Sequence, residues 1–280
     1  MSRSVVRIGA LNVEKGGYPA YQKDLFGTPP RAEQIRRAIE DMNLDVFVGS
    51  DVQGWKDPEA RNLCLPPHLQ EHCTFVPLND KWLEEHEPRY MRHLGVVIAT
   101  NRPGETEALD LCGRQAVSYT MNLGEAGLRI IGAYLNHASE AIRAQQVGAI
   151  VKILRGEVPT IIIGDLNAQE ALREVTRTER IRSHLIKAAG LGLSLIGHPH
   201  GPRLLGLEER TALAQLNAVG AINVARHLGA SRSTALNPGW LFTVDHAYLH
   251  GLPPDGGRGF RVHSPQGASD HRGISLSLAI

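Results

Sequence analysis

The stretch TIIIGDLN, residues 160–167, places an acid and an amide directly after a short apolar run. Its β-branched residues predict a buried strand that ends near Gly164. Open α/β sheets carry their functional side chains at strand ends, so Asp165 and Asn167 are the first candidate site residues. A single Asp or Asn after a strand is more often a turn former. The prediction therefore depends on whether other strands end in the same way.

Polar side chains lie at the ends of most of the other predicted strands. We predict strands at Val5–Leu11, Asp45–Gly49, Gly95–Thr100, Leu128–Leu135, Thr160–Gly164, Leu241–Leu249 and Gly273–Ile280. The polar residues that follow, precede or lie inside them are Asn12, Asp51, His137, Asp245, Asp270 and His271. Carboxylates, amides and imidazoles are the groups that a divalent cation and a phosphate ester require. Their repetition favours one shared site.

Helical patterns lie between several of these strands. Thr28-Pro29, followed by apolar residues at Ile35, Ala38, Ile39 and Met42, predicts an amphipathic helix. A second helix should follow Ser139 and end before Gly156. The alternation indicates the α/β class, and one domain over residues 1–280 is the simpler prediction. Residues 169–239 are expected to form a mainly helical insertion.

The composition is that of an ordinary globular protein and excludes several classes. The chain has 280 residues, 42% of them hydrophobic, and a net charge of +1, which argues against a protein that coats nucleic acid. No apolar run is long enough to span a bilayer, and the first residues lack the zones of a signal peptide. We therefore expect a cytoplasmic protein without a membrane partner. Three cysteines without CxxC spacing argue against a disulfide framework and a structural zinc site.

The order of the motifs resembles the exonuclease-endonuclease-phosphatase superfamily, the metal-dependent phosphodiesterases related to pancreatic-type deoxyribonuclease. In chain order the motifs are GALNVEKGG, DVFVGSD, YLNHA, IIIGDLNA, TVDHAYL and ASDHRG. The resemblance extends from Ile8 to the last strand, and Gly-Asp-x-Asn at 164–167 and Ser-Asp-His at 269–271 are its most specific parts. It implies a two-sheet α/β sandwich flanked by helices, the deoxyribonuclease-like four-layer fold, with the site at one rim of the sheets.

The resemblance also implies a role for each candidate residue and a Mg²⁺ or Mn²⁺ cofactor. Metal binding would fall to Asn12, Asp51 and Asp270. The catalytic set would be His137, Asp165, Asn167, Asp245 and His271. In that set, His137 contacts the scissile phosphate or assists the leaving group, and Asp165 with Asn167 positions the attacking water. Asp245 orients His271, the general base or its electrostatic equivalent.

Several positions depart from the family pattern. Asp51 is one methylene shorter than the usual Glu, so the metal must shift, the loop must move inward or a water must intervene. Ser50 stands where Gln is common. Asn136 and Ala138 flank His137, where a Thr and an aliphatic residue are common. His246 follows the Asp of the dyad at a position that is often aromatic or aliphatic, and we favour a core position for it over a second imidazole at the rim.

The expected activity is metal-dependent phosphoester hydrolysis, most simply of a phosphodiester. The candidate substrates are nucleic acid, a nucleotide-like metabolite and a phospholipid or inositol phosphate, in that order. Few aromatic residues, 5% of the chain, are present to stack single-stranded bases. Two alternatives stay open. One is a catalytically silent binding module, suggested by Asp51 in the Glu position, and the other is a phosphomonoesterase acting on a small metabolite.

Overall fold

Two six-stranded mixed sheets form the centre of the computed structural model. The structure describes residues 5–13, 31–79, 94–123, 126–137, 139–171, 211–228, 234, 242–253, 256–265 and 267–279. The strands are β1 (Val5–Asn12), β2 (Val46–Ser50), β3 (His72–Pro77), β4 (Gly95–Thr100), β5 (Gly104–Asp110), β6 (Gln115–Leu123), β7 (Ala126–Tyr134), β8 (Thr160–Ala171), β9 (Ile222–Asn223), β10 (Phe242–His250), β11 (Gly257–His263) and β12 (Gly273–Ala279). Sheet A has the order β11-β12-β1-β2-β4-β3, and sheet B has the order β5-β6-β7-β8-β10-β9.

Helices cover parts of the outer faces of both sheets, and one short helix packs against the core between them. They are α1 (Arg31–Met42), α2 (Pro58–Cys64), α3 (Glu140–Leu154), α4 (Thr211–Ala218) and α5 (Val224–His227), with a 3-10 turn at Pro67–Leu69. One apolar core fills the space between the sheets, a second joins α1 and α2 to sheet A, and a third joins α3 and α4 to sheet B. This arrangement confirms the predicted two-sheet α/β sandwich. Among the described residues, no helix has both the length and the apolarity to cross a membrane.

The strand directions bring several strand ends to one rim of the sandwich. β1 runs parallel to β2 in sheet A, and β7 runs parallel to β8 in sheet B. β12 is antiparallel to β1, and β10 is antiparallel to β8. Polar residues after β1 and β2 and before β12 therefore share one end of sheet A, and they lie next to the middle of β8 and β10.

Several sequence-based boundaries differ from the structure. β8 does not end at Gly164 but continues through Asp165 to Ala171, so the predicted insertion begins inside a strand. Its described part contains α4, α5 and β9, which pairs with β10. The predicted cap at Thr28-Pro29 lies outside the described residues. Strands β3, β5 and β11 were not predicted, because exposed or polar residues obscure their apolar signal. Strand β6 and the two-residue strand β9 were not predicted either.

Gly164 is required where β7 and β8 approach each other. It has a φ of 138°, and a Cβ built on it would lie 2.3 Å from the carbonyl oxygen of Ala133. Ala133 is its partner in the parallel ladder. A larger residue would have to push the two strands apart immediately before Asp165.

We expect Gly164→Ala to lower the free energy of unfolding by about 2 kcal/mol or more, because it combines a disfavoured φ with a backbone clash. The matched control is Gly148→Ala inside α3, where the nearest atom is 3.5 Å from the new Cβ. That change should stabilise the protein by about 0.5–1 kcal/mol, since Gly is a poor helix former. Urea unfolding of both variants measures the effect, and equal stability of the two would contradict it.

Candidate functional site

A hydrogen bond between the two sheets organises the rim. The Asn12 side-chain amide at the end of β1 donates to Asp165 Oδ2 on β8 at 3.0 Å. The backbone N–H of Asn167 donates to Asp165 Oδ1 at 2.8 Å. The backbone of Asn167 has a left-handed conformation, with a φ of 51°. The side-chain amide of Asn167 donates to the carbonyl of Leu135 at 3.0 Å. Both oxygens of a buried carboxylate thus have a donor.

A carboxylate–imidazole pair lies beside Asp165. His271 Nδ1 is 2.9 Å from Asp245 Oδ2, and Asp245 is the partner of Asp165 in the antiparallel ladder. The His271 backbone N–H donates to Ser269 Oγ at 2.9 Å, and the Ser269 hydroxyl donates to the carbonyl of Asn12. The segment before β12 is therefore held against the end of β1. Because Asp245 engages Nδ1, the Nε2 atom of His271 is left to meet another group.

These groups lie close enough to share one cation. One potential ligand atom from each of Asp165, Asp245 and His271 lies within 4.8 Å of the others. The second oxygen of Asp245, Oδ1, is buried and has no hydrogen-bond partner in the described ranges. A buried carboxylate oxygen without a partner is costly unless a cation or water satisfies it. The donor set therefore fits a divalent cation.

The proximity of the charges shifts the pKa of two groups. Burial and the negative charge of Asp245 raise the pKa of Asp165 to about 6, against the opposing charge of His271. Burial lowers the pKa of His271, but the charge and hydrogen bond of Asp245, with Asp165 and Asp270, raise it to about 10. Asp270 Oδ1 lies 3.9 Å from His271 Nε2. In the metal-free protein the imidazole is therefore a cation among carboxylates at neutral pH.

Tyr134 and Arg114 also belong to the rim, and the sequence interpretation missed both. Tyr134 ends β7 and is the ladder partner of Asp165. Burial, followed by the charges of Asp51 and Asp165, raises the pKa of Tyr134 well above its usual value. The buried Arg114 guanidinium lies 5.0 Å from the centre of the Tyr134 ring and donates to the Tyr134 carbonyl at 2.9 Å. In the sequence Tyr134 follows an apolar run just as Asn12 does, and this pattern marks it as a candidate site residue. No sequence pattern marks Arg114.

Asp51 and His137 occupy different kinds of position. Asp51 follows β2 directly with a left-handed φ of 55°, and its effect on Tyr134 places its charge at the rim. His137 is partly exposed and lies three residues after Tyr134, on the loop before α3. Tyr134, and not His137, is thus the residue of this segment that faces Asp165 across the ladder.

Two buried residues of α3 hold the loop that contains His137. Arg143 Nη1 donates to the carbonyl of Asn136 at 2.8 Å, and the Asn136 N–H donates to Gln146 Oε1 at 2.8 Å. Both residues therefore have a structural role in this loop. His246 is buried at 1% exposure and its Nε2 lies 2.8 Å from the carbonyl of Ala168, so it belongs to the interior, as favoured.

No family model and no curated protein matches the chain in sequence. Solved structures match it in fold. An endonuclease/exonuclease/phosphatase from Beutenbergia cavernae has a TM-score of 0.56 at 14% identity, over 99% of this chain and 72% of that one. Truncated TDP2 from Caenorhabditis elegans has a TM-score of 0.58 at 14% identity, over 99% and 98%. The human Nocturnin catalytic domain has a TM-score of 0.54 at 16% identity, over 99% and 97%. The resemblance expected from the motifs is confirmed in the fold.

In the metal-free protein, stability should fall as the pH rises from about 6.5 to about 10 because of His271. The folded state keeps the His271 proton up to about pH 10, whereas the unfolded chain releases it near 6.5, so the folded state binds more protons in this window. The stabilisation is complete below about pH 6.5 and is lost as the pH passes through about 10.

Urea unfolding in the presence of a chelator, repeated across this pH range, measures the slope. His271→Asn should remove this contribution. His72→Asn, which changes an exposed histidine on β3, should keep the wild-type slope. Identical slopes for wild type and His271→Asn would contradict the assignment.

Proposed function

We propose that the protein is a divalent-metal-dependent phosphoesterase of the exonuclease-endonuclease-phosphatase superfamily, and that it hydrolyses phosphodiesters. The observation that carries the proposal is the Asn12–Asp165 hydrogen bond with the Asp245–His271 pair beside it. Residues from both ends of the chain thus form one buried polar site in a fold that this superfamily shares. A cytoplasmic location remains a prediction from the sequence.

The residues of the site fit the requirements of phosphodiester hydrolysis. Water attacks phosphorus, the bond to the leaving oxygen breaks, and the water loses a proton while the leaving oxygen gains one. The Asp165 carboxylate, which Asn12 and Asn167 hold in place, positions the water and accepts its proton. A pKa of about 6 for Asp165 is suited to this role near neutral pH.

His271 supports the charge that builds up on the phosphoryl oxygens. Asp245 fixes the imidazole through Nδ1, so Nε2–H can donate to a phosphoryl oxygen. The raised pKa of His271 favours this electrostatic role over that of a general base. Tyr134 is next to Asp165 in the ladder, and its hydroxyl is the candidate to hydrogen-bond the phosphate or the leaving oxygen, the role that the sequence suggested for His137.

The family resemblance assigns Mg²⁺ or Mn²⁺ to Asn12, Asp51 and Asp270. The cluster of Asp165, Asp245 and His271 adds ligand candidates beside them, above all the unpartnered oxygen of Asp245. When bound, such an ion neutralises charge on the phosphoryl oxygens. The few carboxylates at the rim are consistent with an ion that keeps several of its waters.

Hydrolysis of bis(p-nitrophenyl) phosphate with Mn²⁺ tests the proposal. Asp165→Asn and His271→Ala should each lower kcat/KM by about 100-fold or more, because each removes a group needed in the transition state. The matched controls are Glu107→Gln on the exposed strand β5 and His72→Ala on β3, which should keep wild-type activity. Unchanged activity in the site variants would contradict the mechanism.

The same assay separates the alternatives. No turnover of diester or monoester by the folded wild-type protein would favour the catalytically silent binding module. Higher kcat/KM on p-nitrophenyl phosphate than on the diester would favour a phosphomonoesterase. A panel of oligonucleotides, nucleotides and inositol phosphates then ranks the substrate classes. The order expected from the sequence is nucleic acid first, a nucleotide-like metabolite second, and a phospholipid or inositol phosphate third.

A second comparison decides between Tyr134 and His137. Tyr134→Phe removes only the hydroxyl and keeps the ring against Arg114. We expect it to lower kcat by about 100-fold with little change in thermal stability, whereas His137→Ala should change kcat by less than about threefold. The measurement is steady-state hydrolysis of the same diester. The reverse pattern would restore the role first expected for His137.

A further inference from the structure

A polar cleft of about 330 Å³ lies on the outer face of sheet A, where β1, β12 and β11 run side by side. We call it the outer cleft. Its walls include the side chains of Arg7, Arg261, His263, Ser275 and Ser277. None of these residues has a role in the proposed hydrolysis.

The sequence alternation of β12 creates the floor of the outer cleft. Ile274 and Leu276 point into the core between the sheets, so Ser275 and Ser277 point to the opposite face. In most of the sandwich a helix covers that face. Here the helix layer stops, because α1 ends at Met42, whose side chain packs closely against Gly9. Beyond this contact the hydroxyl groups of β12 are left beside the end of α1.

A bulge in β11 directs a second arginine towards these serines. Arg258 pairs with Ser277 and Arg261 pairs with Ser275, so three steps along β11 match two steps along β12. The extra residue of β11 lies between Arg258 and Arg261, where Gly259 has a positive φ of 63°. In a regular strand, residues three apart point to opposite faces. The bulge instead places Arg261 on the outer face.

The charges of the outer cleft favour an anion. Arg7 and Arg261 are exposed, and within the part of the chain that the structure describes their guanidinium groups form no ion pair. His263 Nε2 lies 2.7 Å from Ser275 Oγ. The lining contains one carboxylate, Asp41 at the end of α1. With two guanidinium groups and one carboxylate, the net charge of the lining is positive even when His263 is neutral.

We propose that the outer cleft binds a phosphate group. Arg7 and Arg261 supply the charge, since guanidinium groups match the geometry of phosphate oxygens. Ser277, Ser275 and His263 supply neutral donors. The cleft is separate from the rim, because Asn12 lies five residues beyond Arg7 on β1, about 17 Å along the strand, and points to the opposite face. The phosphate comes either from a free anion or from a nucleic-acid strand.

Titration of the full chain with inorganic phosphate in a chelator tests binding. Arg7→Gln and Arg261→Gln should each weaken the affinity by about tenfold, the usual effect of losing one charge-assisted hydrogen bond. Arg37→Gln makes the same change at an exposed position on α1 and should leave the affinity unchanged. Asp41→Asn should strengthen binding, a gain that misfolding would not produce. Equal affinity in wild type, Arg7→Gln and Arg261→Gln would overturn the proposal.

The pKa of His263 shows directly whether an anion occupies the outer cleft. Burial and the charge of Arg261 lower the pKa of His263, while Asp41 opposes them. Arg7 on β1 is the other charged group of the lining, and Ser275 contacts the ring from β12. Sulfate stays a dianion between about pH 5 and pH 8, the range in which histidine titrates. It should raise the pKa of His263 in an NMR titration, and an unchanged pKa at saturating sulfate would overturn the proposal.

A short oligothymidylate distinguishes the two sources of phosphate. If the outer cleft holds a nucleic-acid strand, Arg7→Gln and Arg261→Gln weaken oligonucleotide binding while hydrolysis of bis(p-nitrophenyl) phosphate is unchanged. If it holds a free anion, only phosphate binding weakens. Both outcomes support the site. A loss of oligonucleotide and phosphate affinity no larger than that in Arg37→Gln would reject it.

Discussion

The hydrogen bond from Asn12 to Asp165 is the contact on which the rim depends. It joins residues 153 positions apart and connects the end of β1 to the middle of β8. Ser269, whose hydroxyl donates to the Asn12 carbonyl, brings the segment before β12 to the same place. A shift between the sheets would separate Asp165 from His271, because these residues belong to different sheets. The packing of the apolar core between the sheets therefore sets the geometry of the polar site, because it fixes the position of one sheet relative to the other.

This geometry is costly for the fold. Asp165 and Asp245 are ladder partners, both at 2% exposure or less, and buried like charges repel. His271 and the amide donors on Asp165 offset part of this cost. Two of the five described non-glycine residues with positive φ, Asp51 and Asn167, belong to the same rim. Left-handed conformations at non-glycine residues cost free energy, which adds to the cost of the buried charges. The divalent cation that we propose for this site would compensate the carboxylates further, so its binding would also stabilise the fold.

The sequence predicted most of the fold and most of the rim, for reasons that differ between elements. β4 was predicted with its observed bounds because all six of its residues are buried and the apolar run is uninterrupted. β5 was missed because its residues are largely exposed and include Glu105 and Glu107, so pairing alone makes it a strand. His137 is the residue that the family resemblance implies for this segment, whereas Tyr134 falls inside the predicted strand 128–135 and has no role in that resemblance. Only the ladder register shows which of them faces Asp165, because register depends on contacts that are distant in the chain.

The same strands carry the rim and the outer cleft, and the two-residue period of a strand keeps them apart. On β1 the even-numbered residues from Val6 to Asn12 face the core and the rim, while Arg7 faces outward. On β12 the core residues alternate with Ser275 and Ser277 in the same way. Side chains on one face can therefore change without altering the other face, although both faces share one backbone. A change in strand register would move both sites at once. Close packing at Gly9, where a Cβ would lie 2.8 Å from the carbonyl of Ile274, resists such a shift. The glycine that positions α1 over sheet A thus also maintains the separation between the two polar sites.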